Sequence, residues 1–135
     1  GPDGQGRTIG IGRFGELPEA VDLPTFAGQV KERLGANGAR YVDAGRPVRR
    51  VAVGGGSCGD MLELAAAQGC DTFVTADVKY DQFLTAKAMG LGLIDAGHYP
   101  TENVVCGPLA GLLRSAFPAV EVSLSRRHRE VFSYR

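Results

Sequence analysis

The apolar positions fall in short bursts, and their period changes wherever glycine or proline interrupts them. From Arg7 to Leu17 the pattern is glycine-spaced and partly alternating, with Ile9, Ile11 and Arg13 on one face. It predicts a strand that Pro18 ends. Phe26, Val30 and Leu34 then recur every four residues, predicting a helix from Pro24 to Leu34 that Gly35 stops. A short strand is expected around Arg40–Val42 and a stronger one over Val48–Val53, the latter feeding a glycine-rich turn from Gly54 to Gly59. A helix over Met61–Gln68, a buried strand at Thr72–Thr75 and a helix over Gln82–Met89 follow. Next come a strand at Leu91–Asp95, a helix from Pro100 to Phe117 and a last strand over Val120–Leu124. Strands alternating with helices of this length predict βαβ units, hence an α/β fold with helices packed on a mainly parallel or mixed sheet.

With 135 residues, 44% of them hydrophobic, the chain has the size and composition of one globular domain with a real core. Its 15 basic and 15 acidic residues cancel, so no net field draws it to nucleic acid or anionic lipid. No apolar run approaches the roughly 18 residues of a membrane span, and no signal peptide opens the sequence. Cys58, Cys70 and Cys106 are odd in number and widely spaced, which reads as reduced thiols in a cytoplasmic protein. Gly1-Pro2 resembles the scar of a cleaved tag, so residues 1–6 read as a scar or linker and 7–135 as the α/β domain.

Three segments carry candidate chemistry. Gly54-x-Gly56-x-x-Gly59 matches the dinucleotide fingerprint after a strand, with Asp77 beyond the next strand. The same residues also suit a tight strand-to-helix turn. Cys58 beside that helix start is either an activated thiol or a small packing residue. The run Ile94-Asp-Ala-Gly-His-Tyr-Pro-Thr-Glu102 sits at a strand's carboxyl end, where open α/β folds place ligands. His98 before the helix and Glu102 in its first turn offer the nitrogen and oxygen donors that suit Zn, Mn or Fe. Asp95 is placed to ligate too, or to orient His98. Equally, Glu102 fits a carboxylate complementing the helix dipole, and His98 a hydrogen-bonded loop residue. In Val74–Asp81, Asp77, Lys79 and Asp81 gather at another strand end as substrate contacts or helix-entry charges. The basic pairs and the Arg126–Arg129 tail read as solvated faces.

Taken together, Gly10–Leu17, Gly55-Gly-Ser57, Thr75-Ala-Asp-Val-Lys-Tyr80 and Ile94–Glu102 resemble, in order and spacing, the C-terminal half of the dinuclear metal centre proteins. These are also called type 2 GTP cyclohydrolase I homologues or the Ngg-interacting-factor-three-like family. The resemblance covers residues 9–117, with a looser echo at Val131–Tyr134. It implies that His98 and Glu102 are metal ligands of a metal-dependent, hydrolase-like protein binding two divalent ions (Zn, Mn or Fe). It implies, too, a ring-shaped hexamer with its metal sites facing an inner cavity. Asp77 and Lys79 become orienting or substrate-facing candidates, and no catalytic residue is assigned. Further ligands, histidines and an aspartate, come in that family from an N-terminal half absent here. The expected partners are therefore that half and further copies, with no nucleic acid or membrane. Weak or no metal binding and no robust catalysis are expected of this chain alone. Where the family commonly has a histidine after the Asp77–Tyr80 run, this chain has Asp81. The rival readings are a nucleotide-binding or sensing module built on the Gly54–Gly59 turn and an oligomeric scaffold without catalysis.

Overall fold

A computed structural model describes residues 4–6 and 9–135. In chain order the elements are β1 Arg13–Val21, α1 Leu23–Leu34, β2 Arg40–Val42 and β3 Val48–Val53. A single 3-10 turn at Gly59–Met61 leads into α2 Leu62–Ala67. Then come β4 Thr72–Thr75, α3 Tyr80–Ala88, β5 Gly92–Asp95, α4 His98–Asn103 and α5 Cys106–Ala116. The five strands form one sheet in the order β1-β3-β4-β5-β2. The inner three run parallel, while β1 and β2 close the two edges antiparallel. The sheet is thus mixed, with a parallel centre.

Alternation along the inner strands sorts side chains to opposite faces. Phe73 and Leu93 join Ala52, Leu62, Ala65, Val78, Ala86 and Leu91 on the face covered by α2 and α3. Val74 and Ile94 point the other way, against Leu23, Ala27 and Val48, where α1 lies. Both strands, β4 and β5, are buried on both faces, with apolar centres, Phe73-Val74 and Leu93-Ile94, flanked by the buried polar groups Thr72, Thr75 and Asp95. Asp22 starts α1 by accepting hydrogen bonds from the Thr25 amide (2.9 Å) and hydroxyl (2.8 Å), and Gly35 ends it in the left-handed conformation at φ 61°.

Four sequence expectations need correction. The first strand does not stop at Pro18 but runs to Val21. It is an edge strand, and its pairing with β3 lapses between Glu16 and Val21, so the missing proline N–H breaks no ladder bond. Ile9 and Ile11 lie before it and are exposed, and residues 7 and 8 of the expected strand fall outside the described set. The single helix expected over Pro100–Phe117 is two, α4 and α5. Pro108 has no N–H to give the carbonyl of Val104, so a continuous helix breaks there, at the β-branched pair Val104-Val105. Finally, Val120–Leu124 alternates like a strand but pairs with none of the described strands. The Arg114 guanidinium takes the Val122 carbonyl at 2.8 and 3.0 Å instead. The remaining elements lie within a few residues of their expected bounds.

Candidate metal centre

Because β3, β4 and β5 are parallel neighbours, the turns that leave their carboxyl ends lie side by side: 54–59, 76–79 and 96–98. The last turn is short. Gly97, at φ 87°, reverses the chain so that α4 starts at His98 itself and Glu102 falls one turn later on the same face. Pro100 occupies the first turn, where no amide partner is required of it.

His98 stands between two carboxylates. Its Nδ1 lies 2.6 Å from Asp77 Oδ2, and its Nε2 lies 3.2 Å from Glu102 Oε1. All three side chains are about half exposed, so solvent and solutes reach them. The hydrogen bond with Asp77 raises the His98 pKa above its ordinary 6.5. The slight burial opposes the rise, and the charge of Glu102 adds to it. A carboxylate only accepts, so Nδ1 carries a hydrogen toward Asp77. Nε2 then faces Glu102 with a lone pair unless a second proton or another cation lies between them.

The glycine turn packs against this pair. A Cβ on Gly56 would lie 2.3 Å from Glu102 Oε1, and Gly56 has φ 66°, so only glycine fits the position. The Gly56 amide donates to Thr101 Oγ1 (3.0 Å), and Thr101 in turn donates to the Gly97 carbonyl (2.8 Å). On the other side, Thr75 Oγ1 donates to the Gly56 carbonyl (3.0 Å) and accepts from the Cys58 amide (3.1 Å). The Gly54, Gly56 and Cys58 amides are committed within the protein, which does not favour the nucleotide reading of this turn. Cys58 is half-buried, with its thiol directed at the Gly55 carbonyl at 3.3 Å, and Cys70 and Cys106 are also free thiols.

The other expected residues divide. Asp77 joins the cluster through His98. Asp95 does not: it is buried and turned inward, its Oδ1 accepting from the Gly97 amide and its Oδ2 from the Val78 amide, both at 3.1 Å. Its Oδ2 also meets the Arg40 guanidinium. Lys79 is exposed just ahead of α3, where its amide bonds Gln82 Oε1 at 2.9 Å, and Asp81 is exposed in that helix's first turn. Arg49 and Arg50 brace the edge of the sheet. Arg50 pairs with Glu16 at 2.9 Å and lies over the Phe14 ring, and Arg49 meets the Pro18 carbonyl.

Beside His98 and Glu102 opens a cavity of about 710 Å³, which Tyr99, Thr101, Cys106 and His128 also line. His128 arrives from the tail, held by Tyr99, whose hydroxyl donates to its carbonyl at 3.1 Å and whose ring meets its imidazole edge-on. Nothing in the sequence near His128 signals this return. Among the described residues, no group of three or more His, Cys, Asp or Glu side chains is placed to hold a metal together.

Comparison with known proteins agrees with this architecture. The family model Duf34/NIF3 (NGG1p interacting factor 3) matches residues 5–130, and the chain belongs to that family. It is 34% identical over 116 residues to a Staphylococcus aureus (strain COL) protein named "GTP cyclohydrolase 1 type 2 homolog", covering 85% of this chain and 31% of that one. A Nostoc protein of the same name is 36% identical over 110 residues, covering 79% of this chain and 42% of that one. The chain thus spans between about a third and two fifths of the length of these relatives. Among solved structures, a Staphylococcus aureus hypothetical protein superposes with a TM-score of 0.85 at 33% identity, over 93% of this chain and 43% of that one. A Bacillus cereus protein described as related to NIF3 gives 0.81 at 32% identity, over 96% of this chain and 37% of that one. Among the described residues, no helix is long and apolar enough to cross a membrane.

Proposed function

We propose that this chain contributes two ligands, His98 Nε2 and Glu102 Oε1, to the metal site of a dinuclear, hydrolase-like protein. The observation that carries the reading is the imidazole bracketed by carboxylates on both nitrogens. Metal bonds of about 2.0–2.2 Å place neighbouring donor atoms about 3.0 Å apart at octahedral angles and about 3.4 Å apart at tetrahedral ones. The 3.2 Å between Nε2 and Oε1 falls between those values. Nitrogen and carboxylate oxygen together suit Zn, Mn or Fe. Asp77 does what partners of metal-bound histidines commonly do: it fixes the Nδ1–H tautomer and the ring's orientation.

Two donors leave most coordination positions to solvent or to other groups. The second metal and the remaining ligands belong, on this reading, to the part of the family's longer protein outside this chain, in a hexameric, cytoplasmic assembly. Metals held there by His98, Glu102 and the further ligands would supply Lewis acidity, to activate water and polarise a substrate oxygen. The residues of this chain hold, orient and shape: Gly56 leaves room for Glu102, Thr101 ties the glycine turn to α4, and exposed Lys79 is free to meet a substrate.

Calorimetric titration with Zn(II) and with Mn(II) tests the assignment. The chain is expected to bind weakly, and His98→Ala to remove that binding while leaving the fold intact. Unchanged affinity in His98→Ala would overturn the ligand assignment.

A further inference from the structure

We infer that Arg40 and Asp95 are positioning residues of the metal centre, an ion pair that clamps the two backbone turns from which Asp77 and His98 project. The inference draws its functional meaning from the metal reading above, although its geometry is independent of it.

A buried carboxylate requires partners. Asp95, the last residue of β5, has a side chain only 6% exposed. Its Oδ2 meets the Arg40 guanidinium and accepts from the Val78 amide at 3.1 Å, while its Oδ1 accepts from the Gly97 amide at 3.1 Å. Arg40 Nη2 in turn donates to the Val78 carbonyl at 3.0 Å. The pair therefore holds both polar backbone atoms of Val78 and the amide of Gly97. Asp77 immediately precedes Val78, and His98 immediately follows Gly97. Each partner of the 2.6 Å Asp77–His98 bond is thus next in the chain to a group the clamp holds.

Asp77 makes such a hold necessary. It has φ 51°, the one non-glycine positive φ among the described residues, and a strained backbone of this kind persists only where its surroundings over-determine it. Here the restraints flank it: the Ala76 amide donates to the Gly56 carbonyl at 3.0 Å, and the Val78 amide to Asp95. Arg40 reaches the turn from β2, whose antiparallel register sets Arg40 opposite Asp95, and its guanidinium rests over the Phe83 ring. The polar partners of the pair are the Val78 and Gly97 backbone groups, so the pair acts on Asp77 and His98 through the backbone. A bond as short as that between Asp77 and His98 tolerates only small displacements of either turn.

The test compares Arg40→Met, Arg40→Lys and Asp95→Asn with the unmodified chain. Amide dispersion reports the fold, the low-field His98 Nδ1–H proton resonance reports the bond to Asp77, and calorimetry with Zn(II) reports the site. Arg40 is half exposed, so Arg40→Met is the variant expected to stay folded if Asp95→Asn does not. In Arg40→Met the ring resonance should shift upfield or broaden, and zinc affinity should fall about tenfold, the scale set by residues that orient metal ligands. Arg40→Lys, which keeps the charge, should recover part of both. A folded Arg40→Met chain with an unchanged ring resonance and unchanged zinc affinity overturns the inference. Zinc affinity indifferent to His98 itself would sink the metal reading alone, and the ring resonance would still decide whether the pair sets Asp77 against His98.

Discussion

Glu102 keeps its place because Gly56 has no side chain. Gly56→Ala adds a methyl 2.3 Å from Glu102 Oε1 and forces alanine to φ 66°. It should destabilise the fold by at least about 1 kcal/mol in urea denaturation and weaken zinc binding in the same sample. His98 makes a second expectation. Its folded pKa lies above 6.5, chiefly through the bond to Asp77. The stabilisation this supplies to the metal-free chain is complete below the unfolded value and fades as pH climbs through the raised folded one. Asp77→Asn should return the value toward 6.5 in an NMR titration of the ring protons, and metal affinity should grow with pH across the same window. That His98, Glu102 and Asp77 gather at one edge was legible in the sequence, because residues just past the carboxyl ends of neighbouring parallel strands must share that edge. The inward turn of Asp95 was not, since a residue type does not say which way its side chain faces. Arg40 lies 55 residues from Asp95, in a three-residue strand that carries no chemical signature.

Elements were most legible where one local cause dominates. Asp22, Pro24 and Gly35 bracket α1 with a cap, a first-turn proline and a left-handed stop. The two hydrogen bonds from Thr25 hold the Asp22 carboxyl below its ordinary pKa of 3.8, so the cap contributes above the carboxylate range and is lost as pH falls through the lowered value. Asp22→Ala should lower the thermal midpoint at pH 7, Asp22→Ser should lower it less, and the difference between Asp22→Ala and the unmodified chain should shrink in acid. Elements were misread where a rule depends on tertiary context. Proline ends a strand only if its missing N–H was wanted, and on the free edge of β1 it is not. The alternation of Val120–Leu124 likewise specifies a strand only when a neighbouring strand is there to receive it.

At the scale of the molecule, the sheet separates two apolar clusters, and β4 and β5 serve both. Leu93 is wholly buried in β5, between β4 and β2. Leu93→Ala should therefore cost about 2–5 kcal/mol by chemical denaturation, far more than removal of any exposed leucine of α5. The same topology bears on how portable the site is. Because β3, β4 and β5 follow one another in the chain, every residue that touches His98, Glu102 or Asp77 through the contacts described here lies between Val48 and Glu102. A graft of that contiguous block onto another parallel sheet would carry the ligands, their orienting carboxylate and the glycine turn as one inheritance. It would leave behind the arginine of the edge strand, and a host lacking its equivalent would receive the right atoms in a loosened frame.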